Sequence, residues 1–530
     1  MCGMLINLVQ GSRLRFALHC LCVALFALIF TLEATAELTQ VQVGGHIRMR
    51  GRYYWNDWQE GGLTTRIPNN HLFGRPIGPT EARSRYKWDS DGRDWTRYES
   101  ALLLNFKADF TQDVSAFIEF YDFHIWGEEF RSNYLTGADL RNNSVDGVLL
   151  HQGYIELRNL LNQPLQLRIG KQELFFGKGF LVSNLIVPSQ FISFDALRLT
   201  YAANDLTVDA FAAKLTENTF AGDGDVDFYG LYGTYAGIAP LNISAYYFFL
   251  RDGSDIPRFE TTQLGRWINT RLGYDYSSTR LHTVGTRLFG KYEGFDYDVE
   301  AAYQFGDASH LGALFKPVGS NFGDTNANYD NWAIDAEVGY TFQDVAWQPR
   351  VFLQGVLLSG QDNRDISFWD WLNPFYRPDA SVSFNRLFTH LNYAPVVNDN
   401  SWLSNFVQAS AGLELQPTKK VRMHFHVAYD WAHKAFDPPK SIRFGGRRFA
   451  VAPFLSFWTD EGSNDIGWEI TAWLKYNYSA DLWFMLYGNY LWPDEGLTRG
   501  AFMHFYGTEF SGGSGTDNAG YVLWMAVMKF

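Results

Sequence analysis

Apolar and polar residues alternate along most of the chain from residue 41 onward. In residues 295–306, Phe295, Val299 and Phe305 occupy one face of an extended strand, whereas Asp296 and Glu300 occupy the other. Such alternation indicates a β-strand with one apolar and one polar face. Eighteen segments show it, and each has about ten residues, the length that a tilted strand needs to cross a bilayer. They are residues 41–55, 96–110, 114–126, 146–158, 165–175, 194–202, 206–215, 226–236, 241–251, 280–290, 295–306, 331–342, 348–359, 403–415, 421–432, 465–478, 482–492 and 519–530.

The last segment, Tyr521–Phe530, has one face made only of apolar residues, which include Trp524, Met528 and Phe530. An ordinary C-terminal strand of a soluble β-protein is one interpretation. A strand that closes a barrel in lipid is the other, since hydrocarbon then surrounds its apolar face and closure removes the free edge. In the second case we expect the barrel-assembly machinery to recognise this strand, which ends at Phe530.

The connections between the eighteen segments alternate between short and long. The short ones are Thr111–Asp113, Asn159–Pro164, Ala203–Asp205, Gly237–Pro240, Lys291–Gly294, Gln343–Trp347, Gln416–Lys420 and Ser479–Asp481, and the long ones include 56–95, 252–279, 307–330, 360–402, 433–464 and 493–518. Outer-membrane barrels have short periplasmic turns and long extracellular loops. The predicted fold class is therefore all-β, a transmembrane antiparallel barrel of about 18 strands, with both chain ends in the periplasm.

Composition agrees with this class. Of the 530 residues 17% are aromatic, and beyond residue 36 no apolar run reaches the roughly 18 residues of a membrane helix. Arg13 and Arg15 precede an apolar stretch, and Ala34–Ala36 offers small residues for cleavage. We therefore expect residues 1–36 to be a secretory signal peptide and residues 37–530 to form a single barrel domain in the outer membrane of a Gram-negative-type cell.

Charge and cysteine content exclude some functions. The formal net charge of −13 argues against a nucleic-acid partner. All three cysteines, Cys2, Cys20 and Cys22, lie in the signal segment, so the mature chain is expected to have no disulfide and no cysteine-based metal site. We predict no cofactor and no metal.

One stretch of the chain resembles a known family. Residues 167–199 contain a Gly-Lys-Gln strand end, a later glycine, and a Phe-Asp-Ala-Leu-Arg strand. The pattern is similar to the alginate-export family of outer-membrane barrels, although Lys171 replaces the usual arginine and Ala196 the usual glycine. The resemblance implies a monomeric barrel of eighteen strands, and the best-known member of the family exports an acidic polysaccharide through an arginine-lined constriction. The matching residues are Gly170, Lys171, Gln172, Gly177, Phe194, Asp195 and Arg198.

Strand parity predicts which charged side chains face the lumen. The inward cations include a ladder of three arginines on the first strand, and inward acids are about as numerous, so most cations are expected to pair across the wall. Lys171 has outward parity and would reach the lumen only beyond a bulge, as the family resemblance favours. The predicted lining residues are Arg48, Arg50, Arg52, Arg97, Arg168, Lys171, Arg198, Arg287, Glu99, Glu300 and Glu469.

A porin or exporter for a hydrophilic, anionic solute or polysaccharide is the function that these features favour. A general small-solute porin is an alternative. An outer-membrane hydrolase is another, because His424 and His426 face inward near Asp430, but no Gly-x-Ser-x-Gly or His-Glu-x-x-His motif is present. The aromatic loop 360–402 leaves a third alternative, an adhesin, unless that loop enters the pore. We predict a channel without enzymatic activity or catalytic residues.

Overall fold

Eighteen long antiparallel strands form one sheet in the computed structural model. The model describes residues 38–57, 71–72, 75–76, 93–126, 147–186, 190–217, 225–252, 278–307, 328–360, 367–369, 382–396, 404–435, 440–444, 447–450, 458, 462–498, 503–504, 509–510 and 518–530. The long strands are β1 (Gln40–Asp57), β2 (Arg93–Asp109), β3 (Val114–Ile125), β4 (Leu149–Leu157), β5 (Leu165–Gln172), β6 (Phe194–Ala203), β7 (Leu206–Thr216), β8 (Val226–Ile238), β9 (Leu241–Asp252), β10 (Thr279–Tyr292), β11 (Phe295–Asp307), β12 (Asn328–Thr341), β13 (Arg350–Leu358), β14 (Phe406–Thr418), β15 (Val421–Ala432), β16 (Asp465–Asn477), β17 (Leu482–Pro493) and β18 (Ala519–Lys529). Each overlaps one predicted segment, so the predicted fold class is confirmed.

The sheet is a closed barrel because β1 pairs with both β2 and β18. Two hydrogen bonds complete the closure at the chain end. The N–H of Gly45 donates to the carbonyl oxygen of Phe530 at 2.8 Å, and the N–H of Phe530 donates to the carbonyl oxygen of Gly45 at 3.1 Å. A side chain at position 45 would overlap the Phe530 ring, so glycine is required where the last residue packs against the first strand.

The two ends of the barrel differ, as the connection lengths predict. Turns such as Glu293–Gly294 join consecutive strands at one end, whereas the connections at the other end are long. The outer face exposes apolar side chains, and Val43, Leu353 and Phe530 are each more than half exposed. An apolar outer band and short turns at one end are the features of an outer-membrane barrel, so this face lies against lipid.

A first lumenal segment, residues 173–186 and 190–193, enters the barrel after β5. Most of its described apolar side chains, such as Leu174, Phe176 and Phe180, are buried against the inner wall. The ring of Phe176, for example, stacks on Phe211 of β7 at 5.4 Å and on Tyr232 of β8 at 5.2 Å between centroids. Burial of these rings provides the main stabilisation of the segment inside the lumen.

A second lumenal segment, residues 382–396, packs on the first. The N–H of Phe388 donates to the carbonyl oxygen of Leu181 at 2.7 Å, and Val182 and Phe388 form a parallel bridge. The side-chain amide of Gln304 on β11 exchanges two hydrogen bonds with the backbone of Asn385, both at 2.7 Å. This described part of loop 360–402 therefore lies in the pore, as the alternative of a pore-entering loop predicted.

Shorter elements complete the described chain. They are the ladders His71–Leu72 with Arg75–Pro76, Leu185–Ile186 with Gln190–Phe191, Ser441–Phe444 with Arg447–Ala450 and Met503–His504 with Glu509–Phe510, the 3-10 turn Leu160–Asn162 and the helix Glu495–Thr498. Among the described residues, no helix has the length and apolar content to span a membrane. The predicted signal peptide lies outside the described residues, and its assignment stays a prediction.

Candidate functional site

The arginine ladder of β1 faces the lumen, as strand parity predicts, but it is buried. Arg48, Arg50 and Arg52 lie opposite uncharged residues of β18. On the other side Glu99 of β2 lies opposite Arg50 and accepts a hydrogen bond from it, while Arg52 Nη2 lies 3.3 Å from Glu99 Oε1. Nε of Arg97 lies 3.1 Å from Glu99 Oε2. One buried carboxylate therefore binds three guanidinium groups.

The first lumenal segment covers part of this ladder. The ring of Phe191 lies 5.3 Å from the guanidinium carbon of Arg48, a distance at which a cation interacts with an aromatic face. Phe191 also makes an edge contact with Tyr121 of β3 at 5.7 Å between centroids. The arginine ladder therefore contributes to the electrostatic potential of the lumen from within the wall, behind the rings of Phe191 and Tyr121.

A second arginine pair is more open to the lumen. Arg168 of β5 and Arg198 of β6 lie directly opposite each other where these two strands pair. Nη2 of Arg168 lies 2.7 Å from Oε2 of Glu156, and Nε of Arg198 lies 2.9 Å from Oδ1 of Asp209. Both carboxylates are buried, whereas both guanidinium groups are partly exposed. In this pair the cations are the accessible groups and the acids lie deeper.

Arg287 of β10 belongs to a mixed cluster that reaches across to the first lumenal segment. Its Nε donates to Oδ1 of Asp298 at 3.0 Å and lies 3.9 Å from Oε2 of Glu300. Nζ of Lys178, from the lumenal segment, lies 3.3 Å from Asp298 Oδ1 and 3.1 Å from Asp335 Oδ2. Lys178 therefore joins the segment to the wall and brings a second cation to these carboxylates.

Asp335 of β12 holds both lumenal segments. Besides Lys178 it accepts a hydrogen bond from the Tyr393 hydroxyl of the second segment at 2.7 Å. Burial, followed by the nearby Asp335 carboxylate, raises the pKa of Tyr393 well above its usual range. The phenol thus stays a donor near neutral pH, and the contact persists.

Glu469 of β16 lies in a buried polar group near the second segment. Oε1 of Glu469 accepts from Nδ2 of Asn489 at 2.6 Å. Its neighbour Asp430 accepts from Nε2 of Gln408 at 2.8 Å, and Gln408 also donates to the carbonyl oxygen of Tyr393 at 2.6 Å. Glu469 is buried. Its side chain is therefore part of the wall and is not accessible from the lumen.

The histidines of the hydrolase alternative pack in the wall. His424 stacks on Trp473 at 5.2 Å between centroids and lies 3.3 Å from Oε1 of Glu414. Within the described ranges, no hydrogen bond joins Asp430 to His424 or His426. The structure therefore does not bring the three groups together as a catalytic set.

The lumenal position predicted for Lys171 is wrong. The β5–β6 ladder runs in continuous register from Leu165–Tyr201 to Gln172–Phe194 and pairs Lys171 with Asp195. Residues directly opposite each other in a ladder share a face, and Asp195 has the outward parity of Leu199 on the same strand. The expected bulge is absent from this ladder, so Lys171 stays on the outer face.

Sequence reasoning missed Lys178 and Tyr393, which lie between strands. One signal could have identified the first segment. Residues 174–182 are nearly all apolar apart from Gly177–Gly179, and such a stretch is too apolar for a loop in water. That composition predicts a covered segment, and the structure places it in the lumen.

A closed eighteen-stranded barrel with a lipid-facing apolar band and a charged lumen defines the class of outer-membrane porins. The chain belongs to the alginate export family, because a model of that family, described as "Alginate export", matches residues 90–437. The chain is therefore an outer-membrane channel for hydrophilic solutes in a Gram-negative envelope, and it is not an enzyme. No curated protein sequence matches it significantly.

Solved structures show the same fold. Pseudomonas aeruginosa OccK8 (OprE) superposes with a TM-score of 0.51 at 11% identity, covering 94% of this chain and 99% of that one. Acinetobacter baumannii OccAB1 gives a TM-score of 0.50 at 12% identity, with 94% and 99% covered. At such identities the likeness concerns the fold alone.

Proposed function

We propose that the barrel gives passive passage to an anionic solute, with an acidic polysaccharide as the preferred class. The observation that carries this proposal is the order of burial within the ion pairs of β2–β7. The side chain of Arg168 is 22% exposed and that of Glu156 is 7% exposed, and for Arg198 and Asp209 the values are 21% and 8%. The accessible charge on this side is therefore positive, although acids and bases are balanced in number.

Arginine suits a carboxylate-bearing chain. Its planar fork can bind two oxygens, and a guanidinium that already pairs with one acid keeps further N–H donors. In a narrow lumen, water screens these charges less than it does at an open surface. Arg97, Arg168 and Arg198, which are partly exposed, would contact the solute. Arg287 is less exposed than its partner Asp298 and would add to the potential along the path, and Glu99 and Glu300 would hold these cations in place. The buried arginine ladder of β1 would add to the positive potential of the lumen from within the wall.

The test is conductance and reversal potential in planar bilayers, with uronate oligomers as blockers. We expect anion selectivity and block by the oligomers, whereas neutral oligosaccharides of equal length should leave conductance unchanged. Replacing Arg48, Arg50 and Arg52 together with serine should lower the ratio of anion to cation permeability. An unchanged reversal potential would remove the ladder from the pathway, and equal block by neutral oligomers would refute an anionic substrate.

Three further proposals concern targeting and assembly. Residues 1–36 would direct export and be removed.

The outward, exposed Phe530 at the end of β18 supports recognition of this strand by the barrel-assembly machinery, and Phe530→Ala should then lower the amount of assembled barrel. Because the barrel closes within one chain, we expect a monomer, which the mass of the protein–detergent complex would test.

A further inference from the structure

A β-bulge turns His151 of β4 into the lumen. The β3–β4 ladder pairs Glu119 with Gln152 and Phe120 with Leu150, so that His151 is an extra residue with no opposite partner in the ladder. A bulge re-aims the side chain of its extra residue. His151 is accordingly buried and lies beside the inward Tyr121, at 5.7 Å between ring centroids.

Two carboxylates converge on this imidazole. Nε2 of His151 lies 2.8 Å from Oε1 of Glu173 and 3.9 Å from Oε1 of Glu119, and one ligand atom from each of the three residues lies within 4.8 Å of the others. Glu119 comes from β3, His151 from β4, and Glu173 is the first residue of the first lumenal segment. The cluster thus joins two wall strands to the segment that enters the pore.

The surrounding hydrogen bonds orient both carboxylates. Asn105 donates to Oε2 of Glu119 at 3.2 Å, and Asn184 donates to Oε2 of Glu173 at 2.8 Å. Both of these amides occupy the oxygen that is turned away from His151. The amide of Gln152 donates to the inner oxygen, Oε1 of Glu119, at 2.9 Å, and a carboxylate oxygen has a second lone pair for a metal. Outer donors of this kind fix the first ligands of metal sites and tune their basicity.

The charge of the cluster favours a cation. Among the described residues, neither Glu119 nor Glu173 forms an ion pair with a lysine or an arginine, and His151 is the one basic side chain that reaches them. Glu119 is buried and Glu173 is partly exposed, at 24%, and two carboxylates outweigh the single positive charge that one imidazole can carry. Neutral amide donors alone compensate this charge in part, and a divalent ion would offset the rest.

We propose that Glu119, His151 and Glu173 bind a zinc ion that fastens the first lumenal segment to the wall. Imidazole nitrogen with two carboxylate oxygens is a donor set for zinc, whereas calcium and magnesium prefer oxygen ligands alone. Ligand atoms about 2.1 Å from a tetrahedral zinc are roughly 3.4 Å apart. The two distances from His151 lie on either side of that value, and all three ligand atoms lie within 4.8 Å of one another. Small movements of Glu119 and Glu173 would place three ligands, with water as the fourth.

The test is zinc binding by the mature barrel, folded in detergent and stripped with a chelator. Titration with zinc alone against a chromophoric chelator should show one tight site per chain. His151→Ala and Glu173→Gln should each weaken it more than about 100-fold, since even an outer partner is worth about 10–100-fold. Zinc should also slow hydrogen exchange in residues 173–186 of the wild type and not in His151→Ala.

Three controls separate the site from general effects. His424→Ala removes a lumenal histidine that has a single carboxylate beside it, and it should bind zinc as the wild type does. His151→Cys keeps a zinc ligand and should retain tight binding. Heat-modifiable electrophoretic mobility confirms that each variant is folded, and Glu173 lies outside the strands. The proposal would be overturned if the folded wild type failed to bind one zinc ion per chain in the titration. It would also be overturned if His151→Ala and Glu173→Gln bound zinc as tightly as the wild type.

Discussion

Two clusters of ion pairs in the lumen, that of β2–β7 and that around Arg350 of β13, differ in which partner is exposed. On the side of β2–β7 the acids are buried and the cations partly exposed. In the cluster around Arg350, on β11–β14, two acids reverse this order, since Arg350 is 16% exposed while its partners Glu337 and Glu414 are 30% and 41% exposed. Two regions with similar residues therefore present opposite charge to the bore.

The cause lies in the neighbours of each pair. On β13 one guanidinium serves several acids, since Nη2 of Arg350 lies 2.5 Å from Asp296 and 2.6 Å from Glu337. On β1 and β2 one carboxylate, that of Glu99, serves several guanidinium groups. The most exposed member of each cluster is a surplus group, Arg97 at 25% around Glu99 and Glu414 at 41% around Arg350. The sign of the surplus decides the local potential.

The largest effect should come from removing a shared, buried acid. Glu99→Gln takes the carboxylate from Arg50 and Arg52, and we expect a loss of about 3–5 kcal/mol in the free energy of unfolding. Urea unfolding of the barrel in lipid vesicles, followed by tryptophan fluorescence, measures it. The matched variant Glu414→Gln changes an exposed surplus acid and should cost less than about 1 kcal/mol. Equal losses would show that the order of burial has no energetic meaning.

Ion selectivity should respond in opposite directions on the two sides. Arg168→Ser with Arg198→Ser should lower the anion-to-cation permeability ratio about fivefold, the factor given by ~1 kcal/mol of lost attraction at a partly screened site. Glu337→Gln with Glu414→Gln should raise the ratio by a similar factor. Reversal potentials in a salt gradient measure both changes. Shifts of the same sign in the two double variants would contradict the comparison.

The barrel wall could be predicted from the sequence because its pattern is local. Residues that alternate between apolar and polar face lipid on one side and the aqueous lumen on the other, and this pattern can be recognised within a few residues. Segment 295–306 accordingly matches the strand Phe295–Asp307 within one residue. Inward positions such as Arg48 and Glu99 follow from the same parity.

The candidate site could be predicted only in part because burial and register depend on distant residues. The bulge at His151 depends on how β4 aligns with β3, and the position of Lys171 depends on the register with β6. The burial of Arg48 involves Phe191, a residue of a segment between the long strands. No alternation marks these features, since each arises from contact between elements that are separate in the sequence.

The smallest effect should come from Lys178, which carries positive charge from the first lumenal segment to the acidic side. Its ammonium contacts Asp298 and Asp335, so Lys178→Met unmasks both carboxylates and should lower the anion-to-cation permeability ratio about twofold, as expected for one partly screened pair. Lys178→Arg keeps the charge and is the control. If the arginine variant shifted the reversal potential as much as the methionine variant, the lysine would act through its shape. If neither shifted it, the acidic side would owe its potential to the wall alone, and the lumenal segment would contribute only steric closure.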